Sequence, residues 1–205
     1  QYESIKPEIE QALSGVIGDC AFIGGKYAAA FEQAFAAFVG TKHCAGVANG
    51  TDALFVALQG LGIKAGDEVI TAANTFIATA EAITRTGAEV VFVDNDPRTY
   101  NLDVAKIEAA LTVRTKVILP VHLYGQPCDI EGVLRIAGKH GLTVIEDAAQ
   151  AHGAKVNGRN VGTFGRAACY SFYPGKNLGA YGDAGAVVTD DETLDAFIRS
   201  FANHG

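Results

Sequence analysis

The sequence predicts an α/β fold, a mostly parallel central sheet flanked by helices. Three observations predict it. Short apolar runs rich in Val and Ile alternate with helical patterns. Those runs are nearly continuous rather than alternating, as in strands buried on both faces. The connections are short, as βα units require. Two helices are expected first, at 3–16 and 29–39, joined at Gly24-Gly25, and this 1–40 segment forms an arm or a capping layer. Strands follow at 44–48, 68–71, 89–93, 116–121 and 142–146, separated by helices at 52–61, 75–86, 103–111 and 130–139. After residue 150 the rhythm changes. Val156-Asn157-Gly158-Arg159 is a hairpin turn signal within 155–160. Strands are expected at 167–172 and 185–189, then a helix over 191–201 that starts at an Asp. Residues 41–205 read as one domain with no repeat and no linker.

Composition narrows the function. The chain has 205 residues, 49% of them hydrophobic, with 24 Gly and a formal net charge of −7. An acidic chain whose Lys and Arg are scattered singly is not read as a binder of nucleic acid. No run of about 18 apolar residues is present to cross a membrane, and the N-terminus does not resemble a signal peptide. Cys20, Cys44, Cys128 and Cys169 are far apart, with no CxxC pair, so no zinc or other metal site is expected. They read as reduced thiols of a cytoplasmic protein. The chain starts at Gln1 rather than Met and stops at Gly205 just after a helical pattern. It reads as a piece of a longer protein.

Ligands of open α/β sheets sit at the carboxyl ends of the strands, so the residues leaving each strand are the place to look. Asn49-Gly50-Thr51-Asp52 turns from a strand into a helix, where free N–H groups and the helix dipole suit a phosphate. Read alone, Thr51 or Asp52 is equally a simple helix cap. Phe76 lies at a helix start beside a strand end, placed either to stack on a flat ring or to fill the core. Glu146 and Asp147 close one strand and, being adjacent, point to opposite sides. Asp147, the later one, is assigned to the site. A carboxylate there needs a positive partner, such as a protonated heteroaromatic nitrogen, unless it caps the next segment. Lys176 sits in the loop Tyr173-Pro174-Gly175-Lys176-Asn177-Leu178-Gly179 after a late strand. A partly buried lysine is a nucleophile for aldehydes, although a single loop lysine is ordinarily a solvated one. Ser171 could offer a hydroxyl to a phosphate. Together these are the parts that hold pyridoxal 5′-phosphate (PLP): a lysine for the aldehyde, a helix start for the phosphate, a ring stacker, and a carboxylate for the pyridine nitrogen.

The motifs Asn49-Gly50-Thr51-Asp52-Ala53-Leu54, His122-Leu123-Tyr124-Gly125-Gln126-Pro127, Ile145-Glu146-Asp147-Ala148-Ala149-Gln150 and Ser171-Phe172-Tyr173-Pro174-Gly175-Lys176 resemble the DegT/DnrJ/EryC1/StrS family. Gly66-Asp67-Glu68-Val69-Ile70 and Gly182-Asp183-Ala184-Gly185 are similar to it as well. The resemblance implies the PLP-binding large domain of the aspartate-aminotransferase fold (fold type I). It implies that Lys176 is the Schiff-base lysine and that Asp147 pairs with the pyridine nitrogen. Gln150 falls near the 3-hydroxyl, Phe76 stacks on the ring, and Ser171, Gly50 and Thr51 contact the phosphate. His152 and Tyr181 lie nearby and receive no role.

Such enzymes move an amino group from an amino acid, here expected to be glutamate, to a nucleotide-linked keto-sugar. They work as homodimers with shared active sites. Lysine rather than histidine at 176 favours transamination over the dehydratase chemistry of some relatives. The motifs around Tyr124 and Asn177 are similar to those of members that aminate C-3 of dTDP-linked keto-deoxysugars, with C-4 amination as the rival. A non-catalytic PLP-binding regulator or sensor would use the same pocket. Family chains are about twice this length, so the small C-terminal domain is expected to be missing here.

Overall fold

The computed structural model describes residues 2–204. Among them nine strands form: β1 (His43–Val47), β2 (Glu68–Ala72), β3 (Glu89–Val93), β4 (Thr115–Leu119), β5 (Thr143–Asp147), β6 (Lys155–Val156), β7 (Arg159–Asn160), β8 (Ala167–Ser171) and β9 (Gly185–Thr189). Seven α-helices accompany them: α1 (Tyr2–Gly18), α2 (Gly25–Val39), α3 (Gly50–Gly60), α4 (Ile77–Arg85), α5 (Val104–Ala110), α6 (Ile130–His140) and α7 (Glu192–Phe201). The main sheet has seven strands in the order β1-β9-β8-β5-β4-β2-β3. β2, β3, β4, β5 and β8 pair in parallel. β9 runs antiparallel to both of its neighbours, β1 and β8.

The expected mostly parallel sheet is present, and the apolar runs explain why. All five residues of β2, β8 and β9 are buried. β3 departs from the expectation of strands covered on both faces, because it is the sheet edge and leaves Glu89 and Phe92 in solvent. The 155–160 turn forms the hairpin β6–β7, with Asn157 at φ 50° and Gly158 at φ 80°. Those left-handed angles are what an Asn-Gly turn supplies.

Two helical layers cover the sheet. α3 buries Ala53, Leu54, Val56, Ala57 and Leu58 in a core shared with Val117, Ile145, Cys169 and Val187. On the other side α2 lays Phe35, Ala36 and Val39 against Ala168, Tyr170, Phe172 and Val188. The expected capping layer is therefore α2, whereas α1 buries no residue. Farther along the sheet, Ile107 of α5 and Ile130, Val133 and Ile136 of α6 pack on Ile70 and Ile118. Each fully buried Leu or Ile contributes about 1.5–3 kcal/mol, so these layers fix the strand ends on which the site is built.

Candidate active site

The carboxyl ends of β1, β5 and β8 and the start of α4 open into one cavity of about 720 Å³. Gly50, Thr51, Phe76, Asp147, Gln150, Ser171 and Lys176 all line it. Every site residue proposed from the sequence is thus brought to a single chamber. His152 instead packs behind the sheet against Phe35, Tyr170 and Phe172, and Tyr181 stands exposed, edge-on to Tyr2.

At the start of α3 neither Thr51 nor Asp52 is the cap. Asn49, in extended backbone, takes that place, and its Oδ1 accepts the Asp52 N–H at 2.8 Å. The amides of Gly50 and Thr51, in the first turn, have no intrahelical acceptor, so a donor pair at the positive end of α3 lies in the cavity wall. Gly50 abuts Ser171: a Cβ at Gly50 would lie 2.6 Å from the Ser171 Cβ. Glycine is required by this close approach, which presses the Ser171 hydroxyl against the helix start. Gly50→Ala is expected to cost about 1–3 kcal/mol by overpacking. The check is the melting temperature of the variant against wild type. The Asp52 carboxylate beside this turn is met by Arg85 at 2.8 Å, whose guanidinium lies 4.2 Å from the Phe55 ring centroid. The pair neutralises a negative charge next to an anion site.

Asp147 ends β5 with its side chain in the cavity wall and is 5% exposed. Its Oδ2 accepts the Thr79 hydroxyl at 2.8 Å and its Oδ1 the Ala149 N–H at 3.1 Å. Thr79 in turn shares a 2.7 Å hydrogen bond with Thr75. Burial pushes the Asp147 carboxyl above the usual carboxylate range, against the pull of these two donors and of Lys176 nearby. An anion at this point therefore gains from a cationic N–H in the cavity. Glu146 faces away from Asp147, as adjacent strand residues must, and is fully buried.

Phe76 is 65% exposed at the N-cap of α4, so it is not a core residue. Its ring borders the cavity and is free to stack on a planar ligand. The Gln150 Oε1 accepts the Tyr124 N–H at 2.7 Å, which turns the amide NH₂ into the donor end of that side chain. Lys176 is half-buried on a turn closed by its own N–H to the Tyr173 carbonyl at 2.8 Å. Among the described residues it forms no ion pair. The loop tolerates no side chain at Gly179, where a Cβ would meet the Pro174 carbonyl oxygen at 2.4 Å.

Residues 3–205 match the sequence profile of the DegT/DnrJ/EryC1/StrS aminotransferase family. The chain belongs to this family. It is 54% identical to the pleiotropic regulatory protein of Geobacillus stearothermophilus, covering all of this chain and 55% of that protein. It is 51% identical to the UDP-N-acetyl-3-dehydro-α-D-glucosamine 3-aminotransferase of Acidithiobacillus ferrooxidans, again covering all of this chain and 55% of that one. The crystal structure of S. venezuelae DesV in complex with a ketimine intermediate superposes with a TM-score of 0.97 at 46% identity, covering 100% of this chain and 55% of DesV. The chain thus spans about half the length of the relatives it matches.

DegT/DnrJ/EryC1/StrS proteins are PLP-dependent in general. The donor set here fits that group: a helix start and hydroxyl for a phosphate, a buried carboxyl for a ring nitrogen, and an amine within the same chamber. Three residues that shape this DegT-type site were not singled out from the sequence. Asn49 carried a signal, since Asn followed three residues later by Asp resembles a capping pair. Thr79 and Arg85 carried none, because their partners lie 68 and 33 residues away.

Proposed function

We propose that this chain is the cofactor-binding large domain, residues 41–205, with the 1–40 helical segment, of a PLP-dependent sugar aminotransferase. The observation that carries the reading is the single cavity holding Lys176, Asp147 and the α3 N-terminus. When bound, PLP would supply an aldehyde for an amine and an electron-accepting ring. Lys176 Nζ would hold the aldehyde and would serve as the base and acid for the proton transfer. Asp147, held by Thr79 and Ala149, would keep a proton on the ring nitrogen. Ser171 and the amides of Gly50 and Thr51 would bind the phosphate, Phe76 would stack on the ring, and Gln150 would donate to the 3-hydroxyl.

The reaction proposed is transfer of the amino group of an amino acid, glutamate first, to C-3 of a nucleotide-linked keto-sugar. The relatives named as 3-amino transferases of UDP- and dTDP-sugars support the ring position. C-4 transfer is the alternative. We place the working enzyme in the cytoplasm, which suits the free thiols of Cys20, Cys44, Cys128 and Cys169, as a homodimer with shared sites. Among the described residues no helix is long and apolar enough to cross a membrane.

The test is to incubate the full-length protein with PLP, glutamate and a panel of 3-keto and 4-keto nucleotide sugars. The expected result is 2-oxoglutarate together with a 3-amino sugar. A 4-amino product moves the assignment to C-4. The regulator reading, which the name of the Geobacillus relative favours, prevails if the protein binds PLP and sugar but neither product appears.

A further inference from the structure

We propose that Glu146 and His122 form a buried positioning pair that aims Asp147 at the cofactor without touching it. The proposal rests on the PLP reading above. Both side chains are fully buried. The His122 Nδ1 accepts the Cys128 N–H at 3.1 Å, so the ring proton sits on Nε2, which donates to the Glu146 Oε2 at 3.1 Å. Oε2 also accepts the Gly162 N–H at 2.8 Å. Oε1 accepts the N–H groups of Phe164 and Gly165, each at 2.8 Å. Four donors converge on one carboxylate. Burial works against its charge, and the His122 and backbone hydrogen bonds outweigh that, holding Glu146 below the usual carboxylate range.

Burying an anion is costly even when it is well paired, and an apolar side chain of similar volume often serves stability as well. What the ion provides here is a fixed point where three segments meet. One is β5 itself, one is the 162–165 turn that feeds β8, and one is the stretch after β4 that carries His122. These are the segments that hold Asp147. Its N–H donates to the Pro120 carbonyl at 2.9 Å, and its carbonyl accepts the His122 N–H at 3.0 Å. The next residue, Ala148, donates to Cys169 of β8 at 2.9 Å. Glu146 thus clamps, from behind the sheet, both chains that grip the Asp147 backbone, while Thr79 sets its carboxyl group from the front.

Glu146→Gln replaces Oε2 by an NH₂ that faces the N–H groups of His122 and Gly162, so the clamp opens with no change in size. In the full-length holoenzyme we expect kcat to fall about tenfold to a hundredfold, the range for outer partners of catalytic ligands. The KM for glutamate should stay within about twofold. PLP affinity, read by titrating the apoprotein, should fall about tenfold. His122→Phe should reproduce these losses, and His122→Gln, whose amide still donates to Glu146, should restore most of the activity. Placed on an Asp147→Asn background, Glu146→Gln should have almost no further effect on kcat, because the residue through which it acts is already disabled. Equal loss in both backgrounds, or variants with wild-type kcat and PLP affinity, would overturn the positioning role while leaving the cofactor reading intact. If Glu146→Gln does not fold, the two His122 variants decide by the same readouts. A wild-type protein that binds no PLP overturns the cofactor reading and the pair's role together.

Discussion

Lys176→Ala is expected to abolish covalent attachment of PLP and to lower transaminase turnover by at least about 10⁴-fold. In the proposed mechanism the lysine amine would serve twice, as the group that holds the aldehyde and as the base and acid for the proton shift. Losing general acid–base catalysis alone costs about 10²–10⁴-fold. The same change should barely move stability. Lys176 is half-buried on a turn whose shape comes from backbone hydrogen bonds and from Gly179, not from its side chain. A shift within about 0.5 kcal/mol is expected for such a position. The check is borohydride reduction followed by peptide mass analysis. Wild type should carry the cofactor on Lys176, and the variant should carry none. An adduct on another lysine, or turnover within tenfold of wild type, would remove Lys176 from its role.

Asp147→Asn should act in opposite directions on the apoprotein and on the loaded enzyme. Because burial raises the Asp147 carboxyl above its ordinary value, the folded chain holds that proton more tightly than the unfolded chain does. The stability this confers is full below the ordinary carboxylate range and is lost as pH rises through the raised value. At pH above that raised value the apoprotein carries a buried anion with no cofactor cation against it. Asn removes the charge and keeps both contacts, since the Thr79 hydroxyl can accept as well as donate. The expected gain is ~1 kcal/mol, about 2–4 °C in melting temperature for a domain of this size. With PLP bound the sign reverses. The ring nitrogen loses its anion, and turnover should fall about 10²–10³-fold, as for removal of one preorganised electrostatic partner. Near-normal turnover, or an apoprotein that melts lower than wild type at every pH, would count against this account of Asp147.

Local features of the sequence were the readable ones. The short, nearly continuous apolar runs, several of them rich in Val and Ile, located the seven strands of the main sheet, and Asp191 and Asp103 marked helix starts where they now cap α7 and α5. The lysine loop and the strand-end carboxylate also stood out, because each is a charge in an apolar stretch. What escaped was set by partners remote in sequence. The reversal of β9 cannot be read from its five buried residues, which suit either direction. Phe76 left its place open, because only the tertiary path of α4 puts its ring at 65% exposure rather than in the core. Glu146 was seen only as the carboxylate pointing the wrong way. Its donors come from the loop at 162–165 and from His122, and neither announces itself as a partner in the chain.

The reversed strand β9 also bears on the order in which the domain takes shape. Gly185, its first residue, lies opposite Val47 on one side and Ser171 on the other. A Cβ there would run into the Asn49 carbonyl at 2.3 Å. One late residue thus joins the strand that leads into α3 to the strand that carries Ser171. Contacts between residues so distant along the chain form slowly, because a long loop must close first. During synthesis β1 and β8 cannot be joined through β9 until Gly185 has left the ribosome, long after Asn49 and Gly50. Until then β1 has no partner in the sheet and β8 shows an open edge, so the nascent chain passes through an interval in which it is prone to wrong pairing.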